Sequence, residues 1–312
     1  MAALALVVSR VDLGAVGGAL GRANLLFVGG LLGATCVDLV CRTLRWQGLL
    51  ASIRRVAFAR VLLYVLIGYL ANNLLPARLG ELVRSHYLGD RERFSRATAL
   101  GTIVVERVLD TAVLVAIASI AIIVLQVRGI VANAVLLGVG VAGLLVIALA
   151  FALIAHRLPF AEGLAALVDR WPPIVGLAKR LGGGLAIARR PRTVAAAIAW
   201  SGLAWGATIV GFAAAGQAIG VQLTWAEAAL LAAGVALSTA IPAGPGYIGT
   251  FELAGVQIAA VFGVPADLAL AVTLLAHGSS ILVTSLGGAA ALIGVGWRPS
   301  DATGPPASLL SR

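Results

Sequence analysis

Eight ionisable residues stand in otherwise apolar surroundings. Arg78, Glu81 and Arg84 follow a break rich in Asn, Pro and Gly. Glu106, Arg107 and Asp110 lie at the start of a long apolar run, and Glu252 and His277 are isolated in a later one. A charge in hydrocarbon is expensive unless paired or hydrated, so such residues mark candidate sites. Arg78 and Arg107 suit a phosphate group, because the planar guanidinium fork binds its oxygens in pairs. Glu106 and Asp110 are four apart and share a helix face. Backbone N–H groups near Gly80 and Gly249, at expected helix starts, are further candidate donors. The plainer alternative is that Arg78–Glu81 and Arg107–Asp110 are internal ion pairs that lock the chain break. Asn72 and Asn73 are expected to satisfy broken backbone.

The elements that position these residues follow from composition. Of 312 residues, 61% are apolar and 12% are charged, against about 25% charged in a typical soluble domain. Stretches 24–41, 112–127, 130–155 and 193–216 carry almost no charge, and about 20 apolar residues are enough for a helix to cross a bilayer. Ala, Leu and Gly dominate and strand signals are absent. The expected fold is therefore all-α, a polytopic membrane helix bundle rather than a barrel.

The net charge of +10 fits arginine-rich cytoplasmic loops, not nucleic-acid binding. Cys36 and Cys41 lie roughly 140° apart around one helix, so they form neither a disulfide with each other nor a metal site. The three histidines lack ligand spacing. No triad signature, P-loop or dinucleotide fingerprint is present, so no catalytic residue, metal or cofactor is expected.

Spans are expected at 24–43 (closed by Arg42, Arg45 and Trp46), 97–127, 130–155, 193–216 and 267–295. Asp38 and Arg42 are spaced for an intrahelical pair. Trp46, Trp225 and Trp297 read as interface anchors, while Trp200 and Trp205 are open. Met1–Val8 resembles the tail of a first span whose beginning is missing or very short. One transmembrane domain over 1–298 is expected, with halves at about 1–127 and 130–298. An amphipathic surface segment within 156–192 and a disordered tail at 299–312 complete it.

Two apolar segments are interrupted. The first, 61–75, breaks around Asn73, Pro76 and Gly80; the second, 226–263, breaks at Pro242, Gly244, Gly246, Gly249 and Thr250. Arginine-rich segments 42–60, 78–96, 156–192 and 298–312 place both flanks of the first hairpin in the cytoplasm, and the near-uncharged connections 128–130, 217–224 and 264–267 lie outside. Each interrupted segment should thus be re-entrant, the two entering from opposite faces. Glu106 follows Glu81 by the same 25 residues by which His277 follows Glu252. That register, with the paired breaks, points to two inverted-topology repeats.

Three motifs resemble one family. They are Asn73-Leu74-Leu75-Pro76-Ala77-Arg78-Leu79-Gly80-Glu81 with Arg84, then Val105-Glu106-Arg107-Val108-Leu109-Asp110, then Pro242-Ala243-Gly244-Pro245-Gly246-Tyr247-Ile248-Gly249-Thr250-Phe251-Glu252. In this order they are similar to those of the lysylphosphatidylglycerol synthase transmembrane, or flippase-like, family. The resemblance implies a lipid-translocating membrane domain acting on a phospholipid or other polar lipid, such as a polyprenyl phosphate. It also implies a multi-pass cell-membrane location. In some relatives the domain is fused to a cytosolic aminoacyl transferase; no such segment stands in this sequence, so aminoacyl transfer is not carried over. Where the family often has an aromatic-Arg pair, this chain has Ala276-His277-Gly278. The expected partner is an anionic or phosphate-bearing membrane lipid, with a lipid-modifying enzyme as a further candidate. The alternative function is a membrane glycosyltransferase or its accessory, against which stands the lack of an Asp-rich loop motif.

Overall fold

The structure is a computed structural model that describes residues 6, 7, 9, 11–75, 79–154, 182–239 and 244–295. Those residues form ten α-helices and no strand. A short α1, Leu13–Gly21, precedes the long α2, Leu25–Ala51. Then come α3, Phe58–Leu74, α4, Gly80–Glu92, α5, Arg96–Leu125, and α6, Ile130–Ile154. The later part holds α7, Pro191–Ala218, α8, Trp225–Ser238, α9, Thr250–Ala259, and α10, Ala266–Val295. Among the described residues, α2, α5, α6, α7 and α10 are long and apolar enough to cross a membrane, while α3 and α8 are apolar but shorter.

The helix starts are legible locally. Asn24 and Ser95 accept hydrogen bonds from Leu26 and Thr98 N–H at the heads of α2 and α5. Thr224 and Glu227 close a capping box on α8, and Pro191 opens α7, where its missing N–H costs nothing. The head of α4 is capped from outside: Gly80 N–H donates to Asn72 Oδ1 of α3 at 2.8 Å. Asn72 thus serves the broken backbone as expected. Asn73 Nδ2 donates to Thr284 and Ser285 of α10.

The helices pair in an exchangeable pattern. α2 packs along α7, α3 against α10, and α8 against α5. α4 lies against α3 and α5, as α9 lies against α8 and α10. Small residues set the closest crossings. A Cβ on Gly68 would stand 3.0 Å from Gly80 O, and one on Gly80 would collide with the Gly68 carbonyl and the Asn72 side chain. Gly255 meets Thr273 in the same way in the second half, and Gly288 abuts Leu66 and Leu70 where α3 meets α10. One core gathers Trp46, Leu49, Leu50, Val61, Leu88 and Ile103; another gathers Phe212, Leu230, Leu231, Val256 and Leu270.

Three expectations change. The helix beginning at Leu25 continues past Arg42, Arg45 and Trp46 to Ala51, because those polar groups are satisfied inside the bundle rather than by water. Trp46 is fully buried and donates from Nε1 to Thr102 Oγ1 at 3.0 Å, so it is no interface anchor. The short helix α1 was not foreseen, since its Gly-rich sequence gives little periodicity; Asp12 caps it. Trp225 is 67% exposed at the head of α8, as an anchor should be. Residues 155–181 of the expected surface segment, Trp297 and the tail lie outside the described residues.

Gly80→Ala should destabilise the protein in detergent by about 1–3 kcal/mol, the usual range for an overpacked contact. Gly48, exposed on α2 with nothing near a built Cβ, is the control: Gly48→Ala should be neutral or stabilising by up to about 1 kcal/mol. Thermal unfolding followed by tryptophan fluorescence reads both. Equal melting of the Gly80→Ala and wild-type proteins would mean that α3 and α4 are not in close contact at that point.

Candidate functional site

Charged side chains from α2, α4 and α5 meet, with polar groups of α7, where the four helices come together. Arg45 of α2, with a side chain 0% exposed, sits at the centre. Its Nη2 donates to Glu106 Oε1 at 2.8 Å, and its Nη1 donates to Asp110 Oδ1 at 2.6 Å and to Ser201 Oγ at 2.7 Å. Arg84 of α4 reaches the other Glu106 oxygen at 2.7 Å and stacks on Trp46, its guanidinium carbon 4.2 Å from the ring centroid. Trp205 of α7 donates from Nε1 to Asp110 at 2.9 Å. Arg42 pairs with Asp38 at 2.8 Å, approaches Asp110 at 3.3 Å and lies over the Trp205 ring. Four arginines (42, 45, 84 and 107) thus face four carboxylates (Asp38, Glu81, Glu106 and Asp110).

The members differ in access. Glu106, Asp110, Arg45 and Arg84 are buried. Arg107 and Glu81 are 34% and 28% exposed, with Arg107 Nε 3.0 Å from Glu81 Oε1. That separation suits an ion pair, but the N–H is not aimed at the oxygen. Both line a cavity of about 800 Å³, together with Asp38, Arg42 and Asp110. The outer wall of this cavity is α6, through Leu137, Val141 and Leu145, which are themselves exposed. One space therefore has a charged wall and an apolar, surface-facing wall.

The second half adds Phe251, Tyr247 and His277 to the same cavity. His277 Nδ1 lies 2.6 Å from Glu252 Oε1, and Phe251 stacks on the imidazole with centroids 4.0 Å apart. Glu252 Oε2 accepts Gly249 N–H at 2.6 Å, and Thr250 Oγ1 donates to Tyr247 O. Gly249 has φ +94°, a conformation that glycine adopts without a steric penalty, and Gly246 has φ +63°.

The structure adds partners to the expected pairings. Glu81 pairs with Arg107, across from α4 to α5. Asp110 is held chiefly by Arg45, and its separation from Arg107 is 3.8 Å. The expected Arg107–Asp110 pair is present at that longer distance, while the nearer arginine comes from another helix. The N–H groups of Gly80 and Gly249 are not free donors: Asn72 and Glu252 occupy them. Arg84 and Glu106 support the cluster from behind the cavity wall. Arg78, Pro76 and Pro242 lie outside the described residues. Sequence reading missed Arg45, Ser201 and Trp205; a polar triplet buried by distant helices leaves no local trace. The Asp38–Arg42 pair stands as expected. Among the described residues no three His, Cys, Asp or Glu side chains converge as a metal site requires.

Five long apolar helices around a buried ionic cluster and a two-walled cavity define a polytopic α-helical membrane protein. The chain belongs to the family described as the lysylphosphatidylglycerol synthase TM region, which matches residues 1–288. A 72-residue stretch is 39% identical to a UPF0104 membrane protein of Methanocaldococcus jannaschii, covering 22% of this chain and 21% of that protein. The match thus spans about a fifth of the length of that relative.

Removing the central guanidinium should cost most. Arg45→Gln takes from Glu106 and Asp110 the partner they share, leaving Arg84 and Arg42 to hold them from the sides, and breaking a buried pair typically costs about 3–5 kcal/mol. Arg45→Lys should also fail, because an ammonium cannot span both carboxylates as the fork does. Arg96→Gln, which breaks the exposed pair with Asp90, should change stability by at most about 1 kcal/mol. Chemical or thermal unfolding in detergent ranks the three; equal effects at positions 45 and 96 would mean that the Arg45 network contributes nothing to the fold.

Proposed function

We propose that this protein moves a phosphate-bearing lipid between membrane leaflets, in the plasma membrane of its cell. The observation that carries the reading is the cavity that joins Arg107 and Arg42 to the exposed apolar wall of α6. A lipid has these two parts: its phosphate would meet the guanidinium forks while its chains stay against α6. Arg107 is the best placed, being the most exposed arginine of the cluster. Its neighbour Glu81 would give way to a phosphate oxygen. Arg45, Arg84 and Glu106 would hold the frame. Arg78, between α3 and α4 in the sequence, is proposed as a second phosphate contact.

The exchange of helix partners supports two repeats of opposite topology: α2, α3, α4 and α5 would correspond to α7, α8, α9 and α10, with re-entrant hairpins at α3–α4 and α8–α9. On that reading the α4–α5 turn faces the cytoplasm and the α7–α8 turn faces outside. Cysteines at Arg91 and Gly220, placed in a Cys36→Ser, Cys41→Ser background, should label from opposite sides of the membrane. Labelling from one side would refute the inverted arrangement.

Transport itself is read in proteoliposomes with fluorescent phosphatidylglycerol and a panel of other head groups. Arg107→Gln should reduce translocation at least tenfold while the melting temperature moves little, because Arg107 is the partly hydrated member of the cluster. The exchanged pair Glu81→Arg with Arg107→Glu should restore an ion pair without restoring transport. Full activity in the exchanged protein would remove Arg107 as the phosphate contact.

A further inference from the structure

The two halves hold their buried carboxylates differently. In the first half each of Asp38, Glu81, Glu106 and Asp110 faces at least one arginine. In the second half Glu252, 2% exposed, has one ionic partner among the described residues, His277, itself 6% exposed. A guanidinium keeps its proton at every accessible pH, whereas imidazole gains and loses one near neutrality. The Glu252–His277 pair can therefore change its charge by one proton where the first-half network cannot.

The surroundings leave the pair isolated. α9 carries no other titratable residue, and α10 adds only Asp267, which stands in its first turn and binds the Asp12 N–H. α8 adds Glu227, engaged in the Thr224 cap. α7 adds Arg192 in its first turn, and α1 is flanked by Asp12 and Arg22. α2 brings Cys36, Cys41, Arg45 and the Asp38–Arg42 pair, and α3 brings Arg60, Tyr64 and Tyr69. The loop before α9 brings Tyr247, and the other charged groups lining the cavity are Glu81, Arg107 and Asp110 of the arginine network. Glu252 also accepts the Gly249 N–H at the left-handed turn that starts α9. A change of charge on the pair thus acts directly on that turn, which can serve as a hinge at the head of α9. His277, stacked by Phe251, lines the cavity.

We propose that Glu252 and His277 form the proton-carrying site that couples lipid movement to a proton gradient. With His277 neutral the pair bears one negative charge. A proton from one side of the membrane adds to the imidazole or the carboxylate, giving a pair of net zero charge, and leaves to the other side when the hinge has moved. No other reactant is needed. The proposal rests on the lipid-translocation reading for its cargo but not for its proton.

The first measurement needs no lipid cargo. The chain has three histidines, so the His277 imidazole signal in a 15N-histidine NMR spectrum is assigned by its loss in His277→Gln. That signal should report proton uptake as pH falls, and in Glu252→Gln its response should change. The glutamine keeps an acceptor for Gly249 N–H and a donor for the imidazole. An imidazole that does not titrate, or one indifferent to Glu252→Gln, would overturn the proposal. The second measurement uses proteoliposomes of phosphatidylethanolamine and phosphatidylglycerol with fluorescent phosphatidylglycerol as probe. A one-unit pH gradient should bias the leaflet distribution up to about tenfold, the limit for one proton per lipid. In Glu252→Gln and His277→Gln the distributions with and without the gradient should coincide. Wild-type translocation that ignores the gradient would overturn the coupling. If His277 titrates and a trapped pH dye reports proton entry that Glu252→Gln abolishes, yet no lipid of the panel moves, the lipid reading fails and the proton site stands.

Discussion

Everything in the first half is arranged around one guanidinium in a dry place. Arg45 has no exposure, and a lone cation there would be prohibitive. Its neutralisation needs two carboxylates on one helix face, which α5 supplies four residues apart as Glu106 and Asp110. Those carboxylates in turn need their remaining oxygens satisfied. Arg42 of α2 reaches the second Asp110 oxygen, while α7 gives the first a further donor from Trp205 and adds Ser201 for Arg45 itself; α4 answers for Glu106 with Arg84. Four helices are thus fixed in register by one chain of dependencies. Such a network adds little net stability over an apolar core, but any misalignment leaves a buried charge unpaired. Its effect is to permit one arrangement.

That constraint has a consequence at the cavity. The inner charges are spent on each other, so of the arginines only Arg107 and Arg42, with their partners Glu81 and Asp38, line the cavity beside Asp110. The dry network holds the backbones of α2, α4 and α5, and the partly hydrated pairs ride on that frame. A ligand phosphate would therefore meet arginines whose positions are set in advance, with less ordering to be done on binding.

The helices themselves were plainly legible. Uncharged runs predicted α5, α6, α7 and α10 to within a few residues, and the breaks at Asn73–Gly80 and 242–250 separated α3 from α4 and α8 from α9. The residues of the cluster were largely legible too, because ionisable groups are rare in such sequence. The partnerships were not. Asp110 lies three residues from Arg107 but 65 from Arg45, and the distant one is its close contact. Helix periodicity orders only neighbours within about a turn; which helix packs on which is set by contacts such as Gly68 on Gly80 and Gly288 on Leu70. The same limit explains Trp46, which sits where a span could end and is instead roofed by Arg84.

The contrast between the halves follows from their basic residues. Glu81 and Glu252 stand at corresponding places after a chain break, and Glu106 and His277 at the same distance beyond. In the first half a carboxylate on α5 faces arginines from α2 and α4; in the second an imidazole on α10 faces a carboxylate on α9. The first arrangement has a charge independent of pH over the physiological range, since arginine does not titrate there. It suits a frame. The second is smaller, holds one titratable base and is bonded to the backbone turn at Gly249. On the proton-coupling proposal the first is the rigid ionic centre and the second the one that changes, and the residue types place them in opposite halves.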